Sequence, residues 1–133
     1  MDLTQINILV VLAAALSRFF LGAIWYGPLF KKAWMQGIGM TEEKIQNANM
    51  PKILGLSLLA NIVIAACLGL FFAHEVTTMK GAVYGFLIGF GWVSMSLASN
   101  HLFEQRSLKL FAIHAGYHTL SFTIMGAIIA AWQ

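Results

Sequence analysis

Charge is scarce in this chain. Only 10% of its 133 residues are Asp, Glu, Lys or Arg, against about 25% in ordinary soluble proteins. The acidic residues are Asp2, Glu42, Glu43, Glu75 and Glu104, so long tracts carry no carboxylate and no aspartate dyad forms. Cys67 is the lone cysteine. It has no intrachain disulfide partner, and cysteine usage is silent on redox compartment. Its expected role is that of a small packing residue. There is no HExxH, GxSxG or Walker pattern. No cofactor or metal motif is present, and an enzyme is not expected. The net charge of +3 is small and sits in loops, which argues against nucleic acid as a partner.

Apolar sequence is abundant instead. Four stretches, at about 3–26, 53–73, 81–102 and 108–132, are each long enough to cross a bilayer, which takes about 20 apolar residues. In lipid every backbone polar group needs an internal partner, so spans are helices or barrel strands. Runs this long without alternation are helices. The expected fold is all-α: a polytopic membrane protein, one transmembrane domain over 1–133, built as an antiparallel four-transmembrane-helix bundle. The first stretch starts with Asp2 rather than a positive segment and carries Arg18 near its far end. It reads as a retained helix rather than a signal peptide.

Basic residues set the orientation. The first and third loops carry Lys31, Lys32, Lys44, Lys52, Arg106 and Lys109, whereas the opposite side carries only Lys80. By the positive-inside rule those two loops are cytoplasmic and both termini lie outside. The expected location is the inner (plasma) membrane of a bacterium. The short second and third loops predict antiparallel neighbours packed side by side.

The first loop, 27–52, has its own character. Pro28 is expected to end the first helix. The apolar segment with Lys31 and Lys32 then reads as a short amphipathic interfacial helix, with Trp25, Tyr26 and Trp34 in the aromatic belt. Gly37 and Gly39 break it. Thr41 looks like an N-cap, followed by Glu42 and Glu43 in the first turn of a short polar helix. Pro51 leads into the second span.

The polar residues inside the spans concentrate in the cytoplasmic half. At 1.5 Å per residue, Arg18, Asn61 and His118 each lie roughly 13–15 Å from that interface. Ser94, Ser96, Ser99 and Asn100 crowd the same half of the third span, and His114, Tyr117, His118 and Ser121 that of the fourth. Helical spacing puts Asn7, Val11, Ala14, Arg18, Gly22 and Trp25 on one face. It aligns Ser57, Asn61, Ala65 and Gly69 on a second, and His114, His118, Ser121 and Met125 on a third. Stripes of small residues around a polar one mark inward faces. An Arg facing lipid costs about 2.5–3.5 kcal/mol even on the lenient insertion scale, so Arg18 is expected to face the bundle. The alternative is snorkelling toward the headgroups. No acidic residue lies in the spans to pair with it, which leaves Asn61, hydroxyls, backbone carbonyls, water or a bound anion. The candidate substrate-binding set is Arg18, Asn61, Ser96, Asn100, His114, Tyr117 and His118. His114 and His118 also have the i, i+4 spacing of two metal ligands, with His101 or Glu104 as further candidates. A nearby guanidinium works against a metal cation, and hydrogen-bonded histidines are expected instead. His74 reads as a solvated loop residue.

Gly81, Gly85 and Gly89 form a GxxxGxxxG ridge on the third span, with Trp92 and Ser96 expected to continue the face. Such a ridge packs either inside the bundle or at a homodimer seam.

Two segments together resemble a known family. Gly22, Trp25, Tyr26, Gly27 and Pro28, followed by Lys32, Trp34, Gly39, Met40, Thr41 and Glu42, are similar to the start of the bacterial domain of unknown function 1761 family. Ala115, Gly116, Tyr117 and His118, then Met125 and Gly126, resemble its last helix. The resemblance covers essentially the whole chain. It implies a bacterial inner-membrane protein with four helices and brings no catalytic residues and no established activity.

Three functions fit these residues. The favoured one is a small oligomeric transporter or channel component, expected as a homodimer. Its polar, cytoplasm-open cavity around Arg18 takes a small anionic or zwitterionic solute. The second is a structural or accessory subunit in which the polar layer only fixes helix register. The third is a membrane enzyme acting on a lipid or quinone through His114 or His118. The orientation is directly testable. In a Cys67→Ser background, Lys44→Cys reacts with an impermeant maleimide in inverted vesicles and not in intact cells. The reverse pattern would invert the topology.

Overall fold

A computed structural model describes residues 7–72 and 76–132. The regular structure among them is all helical. Helix α1 spans Ile8–Ile24 and runs on into a π-helical turn, Trp25–Leu29. Helices α2 (Lys31–Ile38), α3 (Glu42–Asn47) and α4 (Met50–Phe71) follow. Then α5 (Thr78–Leu87), a π-helical segment (Ile88–Ser94) and α6 (Met95–Phe103) form one rod, and α7 is Leu108–Ala131. Three rods, Ile8–Leu29, Met50–Phe71 and Thr78–Phe103, are long and apolar enough to cross a membrane. Residues 3 and 73, the expected limits of two spans, and His74 lie outside the described residues.

Short polar side chains start α1, α3, α4, α5 and α7, each taking up a backbone N–H that the first turn leaves unpaired. Thr41 Oγ1 accepts from the Lys44 amide at 3.2 Å and Asn49 Oδ1 from Lys52 at 3.3 Å. Thr77 caps α5 and Ser107 caps α7 in the same way. Asn7, expected on the inward face of α1, is instead its N-cap, accepting from Leu9 at 3.0 Å. Gly39, at φ 69°, ends α2 in the left-handed region that glycine enters without strain. Gly37 breaks nothing. It lies within α2, where a Cβ would stand 2.9 Å from Leu110 Cδ1, so its role is close approach to α7.

Pro28 does not terminate the first rod. The turn around it widens to π geometry, and the Phe30 amide bonds the Trp25 carbonyl at 3.0 Å. A proline ring clashes with the carbonyl four residues back in a regular α-helix. The wider turn accommodates the ring and carries the helix one turn farther.

The rods lie in the order α4, α1, α7, then the α5–α6 rod, with α7 packed along both α1 and α5. The core comes from Val11, Ala14 and Ala15 of α1, Ala65 and Leu68 of α4, and Phe122, Met125 and Ile129 of α7. The expected side-by-side pairing across the second loop is not what forms. The α4 helix and the α5–α6 rod do not pack closely but touch at one end, through Phe71–Trp92 and Phe72–Tyr84 ring contacts with centroids 5.9 and 6.0 Å apart. Rings of that size hold two helix axes apart, whereas glycines bring α5 onto α7. A Cβ at Gly81 would overlap the Gly126 carbonyl, and one at Gly85 the Phe122 carbonyl. Cys67 is exposed on the outside of α4, so it is not a packing residue. Of the expected inward stripe of α4, Asn61 and Ala65 are buried with Leu68, while Ser57 is exposed and a Cβ at Gly69 would meet open space.

This contact gives a contrast between glycines. Gly85→Ala is expected to destabilise the protein by about 1–3 kcal/mol, the usual range for overpacking. Gly55→Ala, at a position open to its surroundings, is expected to be neutral or slightly stabilising. Unfolding midpoints in mild detergent compare the two.

Candidate functional site

The site is built around one guanidinium. Arg18 lies midway along the row's inner face of α1 and is only 6% exposed. Its Nε donates to Asn61 Oδ1 on α4 at 3.0 Å. One terminal nitrogen donates to Ser121 Oγ on α7, and the other bonds His118 Nδ1 at 3.1 Å. A guanidinium has donors only, so His118 Nδ1 is the acceptor and a neutral His118 carries its proton on Nε2. Ser121 donates its own proton to the His118 carbonyl at 3.2 Å, which turns its lone pairs toward the arginine. The guanidinium carbon stands over the Tyr117 and Phe122 rings at 4.6 and 5.3 Å, distances at which an aromatic face attracts a cation.

The arrangement follows from helix periodicity. Tyr117, His118 and Ser121 lie within one turn of α7, and Arg18 faces them from α1. Tyr117 Oη closes the joint by donating to the Arg18 carbonyl at 3.1 Å. This approach depends on Gly22, where a Cβ would come within 3.0 Å of that hydroxyl.

A second polar group sits one turn nearer the lysine-rich end. Tyr26 Oη and His114 Nδ1 are 2.6 Å apart. The His101 ring lies 5.6 Å from that of His114, and its Nδ1 is buried without a hydrogen-bond partner. Trp25 and Tyr26, expected in an aromatic belt with Trp34, pack against α7. Trp25 Nε1 donates to the Ile113 carbonyl at 2.8 Å, and Tyr26 stacks edge-on to Tyr117 and Trp34. The Nδ1 atoms of His114 and His118 face Tyr26 and Arg18 respectively. Among the described residues, no three His, Cys, Asp or Glu side chains converge.

The structure therefore unites Arg18, Asn61, Tyr117 and His118, with His114 adjacent. It leaves Ser96 and Asn100 outside, both away from the buried face. The cause is the π-helical segment Ile88–Ser94. One extra residue in that turn shifts the phase of everything beyond it. The buried line runs Gly81, Gly85, Gly89, then Ser94 and His101, while Trp92 is 61% exposed. Ser94 Oγ donates to the Gly89 carbonyl at 2.7 Å, five residues back. Two members of the cluster, Ser121 and Tyr26, stand outside the set that sequence reasoning selects. Ser121 is detectable by its i+3 spacing from His118. The pairing of Tyr26 with His114 has no signal in the pattern, because it depends on the turn at Pro28.

Asn61→Leu removes an acceptor from a charged donor and is expected to cost about 1.5–3 kcal/mol. Ser57→Ala on the exposed face of α4 is expected to change nothing. Denaturant titration in micelles measures both.

Residues 9–130 match the family described as protein of unknown function (DUF1761). No curated protein and no solved structure matches the chain. The family match spans nearly the whole sequence and includes every residue of the Arg18 cluster, so the chain belongs to the DUF1761 family.

Proposed function

We propose that this is a four-span protein of the bacterial inner membrane, working as an oligomeric transporter or channel component. Its Arg18 cluster receives a small anionic or zwitterionic solute from the cytoplasmic side. The fourth span is α7, whose 24 residues reach about 36 Å at 1.5 Å each, beyond the ~30 Å hydrocarbon core. Its polar residues are tolerable there because it is flanked by α1 and α5. The basic residues of the two loops put both termini outside, and α2 then lies at the cytoplasmic interface.

One observation carries the solute reading. Arg18 is a buried cation whose partners, Asn61, Ser121 and His118, are all neutral. The ion pairs among the described residues, Lys31–Glu42 and Arg106–Glu104, are elsewhere. Three of the five guanidinium N–H groups are engaged, which leaves two for a carboxylate, phosphate or similar group. A bound anion would supply the missing counter-charge. Entry requires the Asn61 bond to open. Residues 51–60 of α4 are almost all exposed, so that half of the helix has few contacts to lose when it swings.

The second reading is a structural or accessory subunit. It is favoured by the way one guanidinium ties α1, α4 and α7 together through neutral groups, which suffices to fix helix register without a ligand.

Native mass spectrometry of protein released in mild detergent separates the two. A dimer carrying an anionic small molecule, absent from Arg18→Ala and retained in part by Arg18→Lys, is the expected result. A ligand-free monomer in wild type and variants, or a complex with another protein, would leave the structural reading.

A further inference from the structure

The turn between α6 and α7 forms a second polar site, separate from Arg18. An open cavity of about 680 Å³ lies between this turn and α2, lined among others by Gln36, Glu104, Gln105, Arg106, Ser107 and Lys109. Its size falls in the range of about 300–1,000 Å³ usual for small-molecule sites. We infer that this cavity binds the anionic headgroup of a membrane phospholipid.

The donors fit a phosphodiester. Arg106 Nε bonds Glu104 Oε2 at 2.9 Å, which leaves both terminal guanidinium nitrogens for another acceptor. Ser107 Oγ accepts from the Leu110 amide at 3.1 Å, a role that leaves its own proton free to donate. Lys109 makes no ion pair among the described residues, and the two glutamine amides add neutral donors. The single carboxylate, Glu104, is already engaged.

The flanks favour a lipid over a free anion. Phe103 and Leu108 bracket the turn and are 90% and 80% exposed, and Leu102 is 78% exposed. No other large apolar side chains among the described residues are as exposed. A polar cavity bordered by bare apolar side chains suits a ligand with a charged head and acyl tails. The turn also lies at the ends of α6 and α7 on the basic side of the protein, the level at which phosphate groups of a cytoplasmic leaflet would sit. This inference depends on the membrane placement and not on a solute at Arg18.

The test mixes the purified full-length chain with equal amounts of dioleoyl phosphatidylglycerol and dioleoyl phosphatidylcholine, and counts retained lipid by native mass spectrometry. The expected result is preferential retention of phosphatidylglycerol. The preference should fall about fivefold for each cation removed in Arg106→Gln and Lys109→Gln. It should rise in Glu104→Gln, a gain that misfolding cannot mimic. Equal retention of the two lipids by the wild type would overturn the inference, as would a preference unchanged in the double variant and in Glu104→Gln. Millimolar inorganic phosphate should leave the lipid in place. Displacement by phosphate would make this a free-anion site instead.

Discussion

A guanidinium held among apolar helices, with no carboxylate partner among the described residues, is the constraint on which this structure turns. Facing lipid, Arg18 would cost several kcal/mol. Turned inward, it requires acceptors from every helix it meets, and it finds them on α4 and α7. That requirement sets the depth and rotation of three helices at once. The small side chains around it, Ala14, Gly22 and Ala65, let the backbones come close enough for those bonds to reach. Tyr117 acts twice, lending its ring to the cation and its hydroxyl to the arginine's own carbonyl.

The inner place of α7 in the row follows from the same economy of contacts. Helix α7 carries His114, Tyr117, His118 and Ser121 of the polar layer and is in contact with both α1 and the α5–α6 rod. A glycine ridge draws α5 against it on one side, and the arginine joint holds α1 on the other. The helices at the edges, α4 and α5, present mainly apolar residues outward, as lipid-facing helices do.

Much of this is legible in the sequence, and the reasons are physical. Helix rise and the positions of the basic loops suffice to put Arg18, Asn61 and His118 at one depth. The 3.6-residue period places them on inward faces. The misses share a cause. A π-helical turn has no reliable sequence signature, yet it shifts the phase of all residues beyond it. One such turn replaces Ser96 and Asn100 by Ser94 and His101 on the buried face. Another carries the first rod past Pro28 and sets Tyr26 on His114. The order of helices in the row is also hidden, because short loops limit only the distance between helix ends, and the bulk of Phe71 and Phe72 decides how closely the rods approach.

The most direct test follows hydrogen exchange at the arginine side chains in lipid bilayers. The chain has two arginines, Arg18 and Arg106. With ¹⁵N-labelled arginine, solid-state NMR resolves one Nε–H signal for each. After transfer to D₂O, the Arg106 signal should disappear quickly while the Arg18 signal persists, and Asn61→Leu should abolish this protection. Rapid loss of both signals together would mean that Arg18 reaches water at the membrane surface and would contradict the buried joint.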